Sequence, residues 1–327
     1  MSPIIEISHL VKTFQIKVKG EGLKESFASF ISPRYKTVQA VHDISFSVNK
    51  GEIVAFIGPN GAGKSTTLKM LSGIMTPTTG TIRIASLDPV KQRKLLAYKI
   101  GTVFGQRSQL WYHLPAIDSF NLFSKIYDLD EKEYKKRLSI LIERFDIKEF
   151  IDQPVRKLSL GQRMRCEFVL ALLHKPEILF LDEPTIGLDV TVKKSIRELI
   201  KQLNQEEKTT VILTSHDMGD VEQLCKRAVI INHGNVVFDG LIKDIKEKYM
   251  RKKIIRLATQ NSAVKPKKEG ILLKKYKEYG MRLEIDLKKI SMKHAIEHLT
   301  EHNDIEDITI LEEPIEDIID EMYKQTR

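Results

Sequence analysis

Cysteine is nearly absent from this chain of 327 residues: there are two, Cys166 and Cys225. They stand far apart in sequence with no second thiol near either, which excludes a disulfide framework and a cysteine-based zinc site. Both read as reduced, partly buried thiols. Long apolar runs are missing too. The longest are short pieces such as IVAFIG and ILFL, far below the roughly 18 residues that cross a bilayer, so no membrane span is expected. The start, MSPIIEISHL, alternates like a strand and lacks the basic, apolar and small-residue order of a secretory signal. A cytosolic location is the expectation. What remains is 42% apolar and 30% charged, a globular composition with length for about two domains, which excludes disorder or coiled coil for the whole chain.

The charge is modest in sum and uneven in place. Lysine and arginine number 53 against 44 aspartate and glutamate, a net +9. Residues 241–290 hold 16 basic and 6 acidic side chains, whereas 291–327 hold 3 basic and 11 acidic, so the two regions nearly cancel. A run such as KEKYMRKKIIR has the chemistry to meet anionic lipid or nucleic acid. A solvated face, or pairing with the acidic tail, is the commoner use, and no nucleic-acid partner is expected.

Between about residues 40 and 240, short β-branched runs alternate with longer helical patterns, the habit of a parallel sheet covered by helices. IVAFIG, KIGTVF, ILFLD, TVILTS and AVIINHG are apolar without alternation, as strands buried on both faces are. Helices are expected over 64–72, 131–144, 162–174, 191–206 and 218–226. Residues 15–36 interrupt this pattern as an insertion, where Phe27, Phe30 and Ile31 at helical spacing suggest a short amphipathic helix, a plain surface loop being the alternative. From residue 241 the periodicity changes. IIRLAT, ILLKKY, RLEIDL and ITIL read as strands, while LIKDIKEKYM, SMKHAIEHLTEH and PIEDIIDEMYKQ read as helices, which suits a small α+β appendage over 241–327. There is no internal repeat.

Directly after IVAFI comes GPNGAGKST, residues 58–66, which fills G-x-x-x-x-G-K-[ST]. Gly58, Gly61 and Gly63 let the backbone N–H groups of the loop, which also contains Pro59, Asn60 and Ala62, turn around phosphate oxygens. Lys64 reaches the outer phosphates, Ser65 offers a hydroxyl to magnesium, and Thr66 supports a phosphate. EILFLDEP ends in Asp182 and Glu183, at the sheet edge where ligands of open α/β folds collect. Asp182 is expected to hold magnesium, and Glu183 to orient and polarise the water that attacks the γ-phosphate. TVILTS delivers His216 and then Asp217 to the same edge. A lone histidine at a strand end is usually a surface or capping residue, but this one is placed to hydrogen-bond the γ-phosphate or the attacking water.

LSLGQ, 158–162, runs straight into RMRCEFVLALL. Ser159 reads as an N-cap, and the helix start offers free N–H groups and the positive end of a dipole, a second anion site. One nucleotide has no easy use for both sites from one chain. With the motifs in this order, the chain resembles the ATP-binding subunit of ABC transporters over about residues 1–240. There GPNGAGKST is the Walker A loop, ILFLDEP the Walker B strand, IGLD at 186–189 the D-loop with Asp189, and His216 the switch histidine. Ser159, Gly161 and Gln162 belong to the signature motif, which completes the ATP site of a second, head-to-tail subunit. Gln106, in TVFGQRSQLW, matches the Q-loop glutamine that touches magnesium and the water, and Phe14, in LVKTF, matches an aromatic that stacks on adenine.

The resemblance implies a P-loop ABC-type α/β fold: a mainly parallel core, antiparallel N-terminal strands and a helical subdomain over about 107–175, within a nucleotide-binding domain of 1–240. It implies ATP and Mg2+, hydrolysis by Glu183, a homodimer around two ATP, and a separate multi-span permease on whose cytoplasmic face the subunit sits. The insertion, the LSLGQRMR wording and the appendage look most like subunits serving bacterial drug or polysaccharide exporters. Trp111, Tyr112 and Leu114 follow Gln106, where the family receives a coupling helix from the permease.

Three departures bear on this. Leu160 stands where the signature has glycine, so a reduced activity is expected. Gln106 falls one residue late counted from Ile100–Gly101, leaving Gln109 as the alternative. Tyr35 is the alternative to Phe14. The rival class is a soluble ABC ATPase acting on ribosomes or nucleic acid, but those carry two such domains or a long coiled coil between the Walker motifs, and this chain has neither.

Overall fold

Apolar runs that do not alternate can bury both faces, and in this chain they become the strands of one six-stranded sheet. The computed structural model describes residues 3–17, 35–105 and 107–325. Contacts divide the chain into two units, Met1–Gly240 and Leu241–Arg327. The amphipathic helix expected around Phe27, Phe30 and Ile31 lies outside the described residues, as does Gln106.

The first unit runs β1 (Ile5–Lys17), β2 (Tyr35–Val48), β3 (Ile53–Ile57), α1 (Lys64–Leu71), β4 (Thr79–Ile84), α2 (Arg93–Ala97) and β5 (Ile100–Phe104). It continues through α3 (Ala116–Ile126), α4 (Glu131–Arg144), α5 (Leu160–Leu172), β6 (Ile178–Asp182), α6 (Val190–Glu207), β7 (Thr210–Thr214), α7 (Met218–Leu224), β8 (Arg227–Asn232) and β9 (Asn235–Leu241). The main sheet has the order β5-β6-β7-β3-β8-β9. Its strands β5, β6, β7, β3 and β8 pair in parallel. Parallel pairing makes their carboxyl ends share one edge: Phe104 lies opposite Asp182, and Asp182 opposite Thr214. A second, antiparallel sheet, β2-β1-β4, packs its Ile5, Ile7, Ile44 and Ile82 into a core shared with Val54, Phe56 and Phe180. The α/β class and the antiparallel N-terminal strands agree with the sequence reading. The helix α3 is one that apolar periodicity does not announce; its entry signal is Pro115, in extended conformation at the N-cap position.

Helices α3 to α5 lie between β5 and β6 in sequence. Asp130 caps α4 by accepting from the amides of Lys132 and Glu133. Arg137 of α4 is buried and makes a two-pronged bridge to Glu207 at the end of α6, 2.8 and 2.9 Å, which ties these helices to the sheet unit. Just past α5, His174 stacks on Tyr127 at 3.9 Å between ring centres and donates Nε2–H to the Ile100 carbonyl at 2.9 Å. Its Nδ1 is buried without a hydrogen-bond partner. Both cysteines are buried, and burial pushes the Cys166 thiol up to about 12, so neither is a reactive thiolate.

The second unit comprises α8 (Ile242–Tyr249), β10 (Lys252–Thr259), β11 (Ile271–Lys277), β12 (Gly280–Asp286), α9 (Met292–His302), β13 (Ile305–Glu312) and α10 (Ile315–Gln325). Its antiparallel sheet has the order β11-β12-β10-β13. Alternating residues Ile255, Leu257, Leu283 and Ile285 meet Ala295 and Leu299 of α9 in a separate core. Part of the basic stretch is paired within the unit: Lys252 bridges Glu321 at 2.7 Å and Glu284 at 3.4 Å, and Lys246 faces Glu312 at 3.7 Å.

Burial holds His174 neutral and lowers its pKa to about 4. The unfolded chain, with an ordinary imidazole near pH 6.5, binds a proton more readily over that interval, so stability from this site is complete above pH 6.5 and drains away as pH falls toward 4. His174→Gln is expected to flatten the acid side of the stability profile over that window, measured by chemical unfolding at stepped pH.

Candidate functional site

The residues from 58 to 66 leave the carboxyl end of β3 and wrap back into α1. The wrap depends on Gly63, whose φ of 105° is a left-handed conformation and whose missing Cβ would sit 2.5 Å from the Ala40 carbonyl. Gly61, also at positive φ, faces open space, with nothing within 4 Å of an added Cβ. The loop is thus a cradle with one side closed by backbone and the other unobstructed. Lys64 points into it. Its side chain is only 6% exposed, and its ammonium donates to the carbonyls of Gly58 at 2.6 Å and Pro59 at 3.3 Å. Burial lowers the Lys64 pKa, and the charges of Glu183 and Asp182 pull it back up. Ser65 is exposed and Thr66 half-buried on the first turn of α1.

The two acids stand where β6 ends beside β7. The Thr214 hydroxyl donates to Asp182 Oδ1 at 2.6 Å and accepts from the Glu183 amide at 3.1 Å. That one hydroxyl fixes both carboxylate residues. Glu183 adopts φ 54°, uncommon for a residue with a side chain, and its amide also donates to the Thr214 carbonyl at 3.1 Å. Opposite, a Cβ on Gly105 would lie 2.2 Å from the Glu183 carbonyl, so only glycine admits this turn. The result is that Glu183 Oε1 meets His216 Nε2 at 2.7 Å. Beside this pair opens a cleft of about 380 Å³ bounded by Ile186, Lys193 and Asp217. Lys193 bonds Asp217 at 2.6 Å, which with burial opposing it holds the Asp217 carboxyl below its usual range.

Beneath the cleft is a buried network that sequence reasoning did not find. Asp220 is fully buried. It receives Arg197 Nη1 of α6 at 2.8 Å, the Thr185 hydroxyl, and the Ser215 hydroxyl at 3.4 Å. One carboxylate thereby joins α6, the loop after β6 and the loop carrying His216. No sequence signal marks it, since Asp220 and Arg197 look like ordinary helix charges until they are folded inward. Thr214 had a signal, as the residue just before Ser215–His216 at the strand end.

The remaining candidates lie elsewhere. Ser159 caps α5 and forms a capping box with Gln162: the Gln162 amide donates to Ser159 Oγ at 3.2 Å, and the Ser159 amide to Gln162 Oε1 at 2.9 Å. The amides of Leu160 and Gly161 remain as uncapped donors. Among the described residues no hydrogen bond joins this helix start to residues 58–66. Instead Gly161 lies against Val192, and Leu160 against Gly187. Asp189 is spent as the N-cap of α6, accepting from Val192 at 2.9 Å. Phe14 is half-buried on β1 opposite Val38, with the Lys12 ammonium 5.1 Å from its ring centre; Tyr35 is exposed. Gln109, the alternative to Gln106, donates its side-chain amide to the Thr102 carbonyl at 2.6 Å. Its backbone amide binds the buried carboxylate of Glu167 at 3.0 Å, so α5 holds the segment that follows Gln106.

The ABC transporter family model matches residues 41–186. The ABC transporter ATP-binding protein NatA of Bacillus subtilis is 36% identical over 212 residues, 65% of this chain and 86% of that protein. The linearmycin resistance ATP-binding protein LnrL of the same organism is 38% identical over 218 residues, 67% of this chain and 70% of its own. Among solved structures, a dimeric ATP-binding cassette in a post-hydrolysis state bound to ADP and Pi superposes with a TM-score of 0.61 at 25% identity, covering 73% of this chain and 98% of that one.

Removing one partner of a buried charge pair costs about 3–5 kcal/mol, because the other charge is left uncompensated. Asp220→Asn is accordingly expected to destabilise the first unit by about that amount, read as a lowered denaturant midpoint; a midpoint equal to the parent protein would contradict the role given to Asp220.

Proposed function

This chain belongs to the ABC transporter family of ATP-binding ATPases, and from that premise we propose that residues 58–66, Asp182, Glu183 and His216 form one half of an ATP site that a second copy completes. The observation that carries this reading is the 2.7 Å contact between Glu183 and His216 at the sheet edge, next to a buried Lys64 that feels both acids. In this arrangement the amides of residues 61–66 and the Lys64 ammonium take the phosphates, which replace the Gly58 and Pro59 carbonyls as its partners. Glu183 takes the proton of the attacking water, and His216 holds Glu183 and the γ-phosphate in register. Ser65 and Asp182 are the hard oxygen donors that suit Mg2+. When bound, that ion neutralises charge on the β- and γ-phosphates.

The uncapped amides of Leu160 and Gly161 at the start of α5 support a head-to-tail dimer, because they offer an anion site that, among the described residues, no hydrogen bond links to the chain's own phosphate loop. The capping box pre-sets Ser159 and Gln162 for that role, Asp189 holds the start of the neighbouring α6, and Leu160 narrows the approach. Phe14, half-buried on β1, is the surface for adenine. Gln106 is proposed as the residue that reports nucleotide state, since Gly105, immediately before it, donates to the Asp182 carbonyl at 2.8 Å.

Trp111 and Tyr112 are 48% and 55% exposed, while their backbone is anchored by bonds to Ser119 and Arg156. A rigid, exposed aromatic pair following the Gln106 segment supports docking of a membrane permease and a peripheral position on the membrane. No helix among the described residues is long and apolar enough to cross a membrane. The name of one relative, a linearmycin resistance ATP-binding protein, supports export. ATP closes the dimer, closure pulls on the permease, and hydrolysis releases it.

Purification of the Glu183→Gln protein with Mg-ATP from solubilised membranes of its source, followed by mass spectrometry, is expected to bring down a multi-span protein; ribosomal proteins or nucleic acid in its place would overturn the transport reading. Glu183→Gln is expected to retain ATP binding while turnover falls roughly 10²- to 10⁴-fold. Lys64→Ala is expected to lose ATP binding outright, measured with a fluorescent nucleotide, because the phosphates lose their buried cation.

A further inference from the structure

The second unit carries a constellation that ATP chemistry does not use. His298, Glu301 and His302 stand at i, i+3 and i+4 on α9, the spacing that brings side chains onto one helix face. One ligand atom from each lies within 4.8 Å of the other two, and the two imidazole centres are 4.5 Å apart. Among the described residues this is the one group of three or more histidine, cysteine or acidic side chains so placed. We propose that His298, Glu301 and His302 form a binding site for a late first-row divalent transition ion, Zn2+ foremost.

The donor set is two imidazoles and a carboxylate, a combination zinc takes in sites that leave a fourth position to water. Tetrahedral bonds of about 2.0–2.1 Å hold ligand atoms roughly 3.3 Å apart, so small side-chain rotations on a fixed helix close the remaining distance. His302 is already oriented for this: its Nδ1 donates to the His298 carbonyl at 2.8 Å, which leaves Nε2 as the nitrogen with the lone pair. An outward backbone hydrogen bond of this kind selects the tautomer of metal-bound histidines. The helix ends at His302, and the negative end of its dipole favours a cation there.

The surroundings decide which cation. The two rings line a cleft of about 330 Å³ with Lys265, Lys267 and Asn303. The lysines oppose any ion held by charge alone, and a single carboxylate supplies too few oxygens for Mg2+ or Ca2+. Imidazole affinity rises toward the end of the first transition row, so the site selects Zn2+, Ni2+ or Cu2+ over the Mg2+ of the nucleotide chemistry. His294, one turn earlier, faces Ser291 at 3.0 Å and lies outside the group.

The test uses the full chain, freed of metal by a chelator and kept in excess Mg2+. Zn2+ is titrated by calorimetry, and Co2+ serves as a probe whose visible d–d absorption reports the donors and their geometry. One equivalent is expected to bind and to resist displacement by Mg2+. His298→Ala and His302→Ala should each weaken binding roughly tenfold or more, and Glu301→Gln should change the Co2+ spectrum. His294→Ala should change nothing. Far-UV circular dichroism verifies that the variants fold, since Ala295 and Leu299, which anchor α9, are untouched. No binding by the parent chain, or an isotherm unaltered in the His298→Ala/His302→Ala double variant, overturns the proposal; equal loss in His294→Ala does so too.

Discussion

A buried ammonium must be kept charged, and much of the first unit follows from how Lys64 is held. Burial disfavours its charged form and lowers its pKa, and Glu183 and Asp182 offset part of that. Those acids can do so only because β6 ends beside β7, in parallel with β3, so that three strand ends and one loop share an edge. The glycines at 58, 61 and 63 then let the backbone approach closely enough for its carbonyls, or a phosphate, to complete the ammonium's partners. A cation buried without this arrangement would be lost to deprotonation or would push the loop open.

A second buried charge lies one layer deeper. Asp220 carries its own cost of desolvation, offset by Arg197, Thr185 and Ser215, and in return it links the loops bearing Glu183 and His216. Thr214, itself buried, steadies both acids with a single hydroxyl. The 2.7 Å contact between Glu183 and His216 is therefore held from below and from the side, which gives two side chains from different strands the precision that proton transfer demands.

The second unit manages charge differently. Its main core is apolar, and several of its charges pair half-buried at the rim of the sheet, as Lys252 does with Glu321 and Glu284. Of the two uses open to the basic stretch in the sequence, pairing with the acidic end accounts for part of it. His298 and His302 of α9 stand apart from those pairs, on a helix face that leads into a separate cleft.

The α/β class was legible because buried parallel strands cannot alternate, and the loop of residues 58–66 because phosphate binding needs glycine, lysine and a hydroxyl at fixed spacing. The Ser159 N-cap was legible too, since it needed only neighbours in sequence. Tertiary structure alone decided that Asp220 is buried, that Gly105 must lack a side chain to admit Glu183 at φ 54°, and that Thr214 serves two acids at once. It also decided that His302 turns one nitrogen to a carbonyl and leaves the other free. Each of these depends on residues distant in the chain or on how a side chain turns, and neither depth nor orientation is written in the identity of a single residue.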